Sequence, residues 1–146
     1  MTAVPALYSP LDIDTLIRTV YGEARGEPME GKIAVAHVAL NRLKHPGWWS
    51  RNRDDIPDDT LAAVCRDPYQ FSCWLENDPN RNVILTALAP ALAESAQAVE
   101  LVLAGIEPDP TGGATHYHAI GAMPKWAAGR TPTAIIGHHV FYEDIA

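Results

Sequence analysis

The stretch YGEARGE, from Tyr21 to Glu27, places two carboxylates, Glu23 and Glu27, four residues apart. A carboxylic acid that keeps its proton near neutral pH can hand it to the leaving oxygen of a glycosidic bond, so the stretch raises acid–base chemistry as the first hypothesis. Competing uses stand beside it: an ion pair from Glu23 to Arg25, Arg18 or a more distant arginine, and helix capping by Glu27, which Pro28 follows. A second constellation is His116-x-His118 together with His138 and His139. Alternation along a strand points His116 and His118 to one face, as two metal ligands would need, but no third ligand stands at a diagnostic spacing. The expectation is no metal and no cofactor, with a metal-dependent hydrolase or amidase built on these histidines as the rival. Cys65 and Cys73, eight residues apart around the turn RDPYQFS, leave two readings open: a disulfide, or a pair of buried thiols.

The elements that must position these groups follow from periodicity and capping. Ser9-Pro10-Leu11-Asp12 reads as a helix start, with Ser9 as cap and Asp12 closing a capping box. The helix is predicted to run to about Ala24, with Ile13, Leu16, Ile17, Val20, Tyr21 and Ala24 as its apolar stripe. Glu23 comes seven residues after Leu16 and three after Val20, which puts it on that stripe rather than on the wet face. Burial there, and the negative end of the helix dipole, both disfavour a charged carboxylate. Gly26-Glu27-Pro28 ends the helix. A second is predicted from Met29 to Leu43, with Ile33, Ala36, Leu40 and Leu43 facing inward. His45 to Asp59 shows no sustained period and reads as a long surface loop, which carries Trp48 and Trp49. A short helix from Thr60 to Cys65 leads into the turn YQFSCW, and the Ala/Leu-rich segment from Val83 to Ala104 predicts one long helix stopped by Gly105. After Pro108, TGGATHYHA and IIGHHVFYE predict two strands. The expected fold is α+β and predominantly helical, with a small antiparallel β element near the C-terminus.

Composition bounds the partners. The 146 residues suit one domain spanning 1–146, and 47% hydrophobic with 20% charged residues is the balance of a folded globular chain. A net charge of −7 argues against nucleic acid and, more weakly, against an anionic membrane surface. Apolar stretches are broken well short of about 18 residues, so no integral membrane segment is expected. MTAVPALYSPLD has no basic region followed by an unbroken apolar core, so no secretory signal is expected either. A disulfide, were it formed, would place the protein outside the reducing cytoplasm. The chain is expected to act as a monomer.

The run VYGEARGEPMEGKIAVAHVALNR, from Val20 to Arg42, resembles the opening motif of the SleB/CwlJ-type cell-wall hydrolases, which include spore-cortex lytic enzymes and phage or prophage relatives. The resemblance continues in order through PYQFSCW (68–74), DPTGGATHYH (109–118), PKWAAGR (124–130) and IGHHVFY (136–142), and so covers nearly the whole chain. It implies a body similar to lysozyme and lytic transglycosylases, with bacterial peptidoglycan as substrate. The bond implied is the one between N-acetylmuramic acid and N-acetylglucosamine, with Glu23 as general acid. On the lytic transglycosylase route the same residue then acts as base on the muramyl C6 hydroxyl. A hydrolase would more often use two carboxylates, and Glu27 is the candidate for the second.

The resemblance further implies that Gln70, Phe71 and Ser72 line the cleft, an amide and a hydroxyl holding N-acetyl groups and an aromatic ring stacking on a sugar. It assigns His116 and Tyr117 to the opposite wall, with Tyr117 donating to substrate or orienting Glu23, and offers Trp126 as a stacking platform. Trp48 and Trp49 would widen the groove or cover the core. The expected relatives are endolysin-type phage or prophage members, made in the cytoplasm and released through a pore or carried in a particle to act on the cell wall. A non-catalytic glycan-binding module is the remaining rival.

Overall fold

The computed structural model describes residues 8–46, 48, 59–67, 70–143 and 145. Helix α1 spans Pro10–Ala24, α2 Met29–Leu43, α3 Leu61–Arg66, α4 Pro79–Thr86 and α5 Ala89–Leu103. Strands β1 (His116–Ala119), β2 (Ala134–Ile136) and β3 (His139–Tyr142) follow, and short 3-10 turns occupy Ser72–Trp74 and Lys125–Ala127. The described helices include none long and apolar enough to cross a membrane.

Helix α1 is the hub, packing against each of the other four described helices. Its start is the capping box read from the sequence: Asp12 N–H donates to Ser9 Oγ and Ser9 N–H to Asp12 Oδ2, each at 3.0 Å. The other Asp12 oxygen accepts the Ala62 N–H at 2.9 Å, so one buried carboxylate begins α1 and seats the first turn of α3. Leu16, Val20 and Ala24 are buried as the stripe predicts. Thr15 and Thr19 are buried beside them, and Thr19 Oγ1 donates to Thr15 O at 2.7 Å while accepting Trp74 Nε1–H at 2.8 Å. Helix α2 is more deeply enclosed than an amphipathic helix, with Val35, Val38 and Ala39 joining Ile33 and Ala36 in the core.

Two expectations are corrected. The segment 83–104 is not one helix, because Ala87 and Leu88 are extended between α4 and α5. The cause is Pro90: it has no N–H to bond Thr86 four residues back, and its ring collides with that carbonyl in a continuous helix, whereas the first turn of α5 accepts it. Arg18 closes the break, donating from one guanidinium nitrogen to Ile84 O at 2.7 Å and Ala87 O at 3.0 Å. The sheet has three strands rather than two, all antiparallel, in the order β1-β3-β2. IIGHHVFYE folds back on itself at Gly137, whose φ of +57° is left-handed backbone that favours glycine.

Register fixes which side chains share a face. Tyr117 pairs with Phe141, and Phe141 with Ala134, so these point together toward the helices. His116, His118, Val140 and Tyr142 point the other way.

Candidate active site

Glu23 sits in the last turn of α1, on the inward side its phase predicts. It is half-buried rather than covered, because the elements above it are a 3-10 turn and a strand rather than another helix. Its oxygens have separate donors. The Tyr117 hydroxyl of β1 donates to Oε1, and the Cys73 backbone N–H donates to Oε2 at 3.3 Å. Burial, and then the adjacent Glu23 carboxylate, hold the Tyr117 phenol well above its ordinary range, so it stays a donor. The approach of the 72–74 turn depends on Gly22: a Cβ there would stand 2.8 Å from both Cys73 Cβ and Ile84 Cγ2. The Gly22 carbonyl accepts Asn80 Nδ2–H at 2.8 Å, which fixes the same turn of α1 to the start of α4.

Behind this carboxylate lies Arg42, 4% exposed. Its Nε–H donates to Thr115 O at 2.7 Å, another guanidinium nitrogen donates to Gln70 O at 2.6 Å, and the guanidinium lies 4.4 Å from the Phe71 ring centroid. One cation thereby holds both walls, the turn that supplies Cys73 and the strand that supplies Tyr117. The residue before it, Asn41, donates from Nδ2–H to Ala114 O and Asp109 Oδ2, both at 2.9 Å. Asp109 also accepts from Thr111 N–H, Thr111 Oγ1–H and Gly113 N–H, so DPTGG is a self-bonded loop that delivers β1 to the site. Sequence reasoning missed Arg42 and Asn41. The signal was present for Arg42, which shares the phase of Val35, Val38 and Ala39. A cation on a core stripe is as telling as a carboxylate there.

The other expected site residues are divided. Phe71 is 1% exposed beneath Arg42, so its ring belongs to the core and offers no face to a sugar. Gln70 is half-buried and Ser72 exposed on the same turn. His116 and Trp126 are not beside Glu23. They lie on the outer face of the sheet, where Trp126 meets His116 at 5.2 Å, His118 at 5.8 Å and Tyr142 at 5.2 Å between ring centroids. Alternation explains this, since Tyr117 takes the inner face and its neighbours must take the outer one. Trp48 is half-exposed and stacks on His45 at 3.9 Å; Trp49, Pro68 and Tyr69 lie outside the described residues.

Cys65 and Cys73 are buried free thiols, not a disulfide. Burial pushes the Cys65 thiol up to about 12, and burial with the Glu23 carboxylate raises Cys73 further, so both stay protonated and unreactive. The histidines do not converge either. His118 bonds the Tyr142 hydroxyl through Nε2 at 2.9 Å on the outer face, whereas His138 and His139 turn to Glu27. Among the described residues no three His, Cys, Asp or Glu side chains form a metal-binding group. Glu27 caps nothing: Pro28 is the N-cap of α2, and the buried Glu27 carboxylate accepts the His138 N–H at 2.7 Å.

His116 carries a pH dependence. Burial, then the charges of Arg42 and Arg130, lower its imidazole from 6.5 to about 4. The unfolded chain therefore takes up a proton that the folded chain refuses, and stability falls as pH drops through the unfolded value toward the folded one. The melting temperature is expected to decline between pH 7 and pH 4.5 more steeply in the wild type than in His116→Gln. Equal slopes would remove this role from His116.

A helical body that holds a half-buried carboxylate between a turn and a small antiparallel sheet is an α+β architecture with a candidate acid–base site. More particularly, the chain belongs to the cell wall hydrolase family, whose model matches residues 26–142. It is 36% identical to the spore cortex-lytic enzyme of Halalkalibacterium halodurans over 96% of this chain and 37% of that one. It is 34% identical to the spore cortex-lytic enzyme of Bacillus subtilis over 96% of this chain and 40% of that one. The chain thus spans less than half the length of these curated relatives. The crystal structure of the catalytic domain of the Bacillus cereus SleB protein superposes with a TM-score of 0.69 at 32% identity, covering 97% of this chain and 96% of that domain. The catalytic domain of the germination-specific lytic transglycosylase SleB from Bacillus anthracis gives a TM-score of 0.66 at 32% identity, covering 94% and 98%.

Proposed function

We propose that this chain is a lytic transglycosylase that cuts the peptidoglycan glycan strand between N-acetylmuramic acid and N-acetylglucosamine, with Glu23 as acid and then base. The observation that carries this reading is that, among the described residues, Glu23 is the one carboxylate left for the glycan: it is held by Tyr117 and Cys73, while Glu27 is committed to His138. Protonated Glu23 gives its proton to the glycosidic oxygen as the bond to muramyl C1 breaks. The resulting carboxylate removes the C6 hydroxyl proton as that oxygen bonds to C1, which closes a 1,6-anhydro ring and returns the proton to Glu23. No water is consumed, so one carboxylate suffices where a hydrolase pair would be needed. In this reading the exposed Ser72 hydroxyl and the half-buried Gln70 amide, on the turn that follows Asp67, hold N-acetyl groups. The site of action is the cell wall, periplasmic or extracellular, reached by a phage-type or particle-associated route.

The test is mass spectrometry of muropeptides after digestion of purified peptidoglycan, run with and without EDTA. Anhydro-muramyl ends, one water lighter than hydrolytic ends, are expected in both arms. Reducing ends alone would overturn the transglycosylase reading, and loss of activity with EDTA would favour a metal-dependent hydrolase.

A further inference from the structure

Glu27, the second carboxylate of the YGEARGE stretch, has both oxygens occupied by the β2–β3 turn. Oε1 accepts the His138 N–H at 2.7 Å, Oε2 lies 2.7 Å from His138 Nδ1, and His139 Nδ1 is 3.5 Å from Oε1. The Glu27 side chain is 7% exposed. The docking is close: a Cβ on Gly137 would stand 2.6 Å from Glu27 Oε1, so only a glycine lets the turn approach the carboxylate this way. Glu27 itself is fixed through its backbone, its N–H donating to Ala24 O at 2.9 Å and its carbonyl accepting the buried Lys32 ammonium.

The same turn holds β1. His138 O accepts the Ile120 N–H at 2.8 Å, and β3 pairs with β1 through His139 with Ala119 and Phe141 with Tyr117. Tyr117 then donates to Glu23, four residues before Glu27 on the same chain. The contacts close a ring: from Glu23 along the end of α1 to Glu27, across to His138, along β1 to Tyr117, and back to Glu23. A ring of this kind converts a shift of the 137–138 turn into a shift of the Tyr117 hydroxyl relative to the carboxylate it orients.

We propose that Glu27 is a positioning residue, whose carboxylate anchors the 137–139 turn and so sets where β1 presents the Tyr117 hydroxyl to Glu23, rather than a second carboxylate acting on the glycan. This rests on the reading of Glu23 as the acid and base. The charge needed for the anchor persists into acid. Burial opposes ionisation of Glu27, but the His138 side-chain and backbone bonds and the nearby imidazoles of His139 and His138 outweigh it and lower its titration below the ordinary 4.5. A base acting on water would need a free oxygen lone pair directed at the substrate, whereas both of these oxygens face the turn.

The experiment is a double-mutant cycle on peptidoglycan cleavage, with Glu23→Gln as a parallel control and thermal melts of every variant. Glu27→Ala is expected to lower kcat roughly 10- to 100-fold with KM little changed, the scale of a misplaced catalytic group. Glu27→Gln, which keeps an oxygen for the His138 N–H, is expected to recover kcat to within roughly threefold of wild type. In a Tyr117→Phe background the Glu27→Ala effect is expected to shrink to roughly threefold or less, since the group it positions is already gone. Gly137→Ala, which pushes the turn off an intact Glu27, is expected to repeat the kcat loss and the same non-additivity. It also serves if Glu27→Ala does not fold. A Glu27→Gln variant as inactive as Glu23→Gln would overturn the proposal in favour of a catalytic carboxylate, and an additive cycle would overturn it in favour of general destabilisation. Wild-type activity in Glu23→Gln would instead overturn the parent reading, and this one with it.

Discussion

Glu23→Gln is expected to reduce cleavage of purified peptidoglycan by roughly 10²- to 10⁴-fold, the usual contribution of a positioned general acid, while the fold survives. The substitution is nearly isosteric, so the buried neighbours Val20 and Ala24 on α1 need not repack. The amide oxygen still accepts the Tyr117 hydroxyl. What is removed is the proton to give and the oxygen to take it back. The other contact, from the Cys73 N–H at 3.3 Å, is the longer and weaker one, and an amide nitrogen facing it costs about 1 kcal/mol or less. A turbidity assay and a thermal melt on the same preparation check both halves of this expectation. Clearing at the wild-type rate would remove Glu23 from the mechanism. A lost thermal transition would show that the residue is needed for the fold instead.

The parts of the fold that could be read from the sequence were those set by local chemistry. The capping box at Ser9 and Asp12, the end of α1 before Pro28, and the extent of α2 all depend on residues within a few positions of one another. So does the inward phase of Glu23. The break between α4 and α5 was equally local, since Pro90 forbids a continuous helix, but an Ala/Leu-rich run hides a single proline when periodicity is read over a long window. The sheet was harder. Its third strand arises from a reversal at Gly137 that makes sense only once Glu27, more than a hundred residues earlier, is seen to receive the turn.

The site divides in the same way. Glu23 and Tyr117 were both named, but the family resemblance that gave Phe71 and Trp126 to sugar carries only a motif and a residue type, and these do not distinguish an aromatic that stacks on substrate from one that fills a core or packs on the far face of a sheet. Strand alternation could have separated His116 from Tyr117 at once. Trp126 could not have been placed that way, because it lies in a 3-10 turn outside the ladder.

The largest expected effect on stability belongs to Arg42. Its guanidinium is buried with two carbonyl partners and an aromatic face, and burial lowers its titration even though Tyr117, Cys65 and Glu23 raise it. Truncation to Ala leaves the Thr115 and Gln70 carbonyls without this donor and opens a cavity over Phe71. Hydrogen bonds to a charged donor contribute about 1.5–3 kcal/mol each, and the cavity adds to that, so a loss of about 3–5 kcal/mol is expected. Against a total of about 5–15 kcal/mol for an ordinary domain, this is enough to shift a urea midpoint strongly or to unfold the protein. Arg42→Lys separates charge from geometry. A single ammonium keeps the charge but not the planar fork that reaches both carbonyls, so it should recover only part of the loss, about 1–2 kcal/mol. Activity should fall further than stability in the folded fraction of Arg42→Lys, because the two carbonyls belong to the two walls that present Cys73 N–H and Tyr117 to Glu23. An Arg42→Lys protein with wild-type turnover would mean that those walls hold their positions without the bridge.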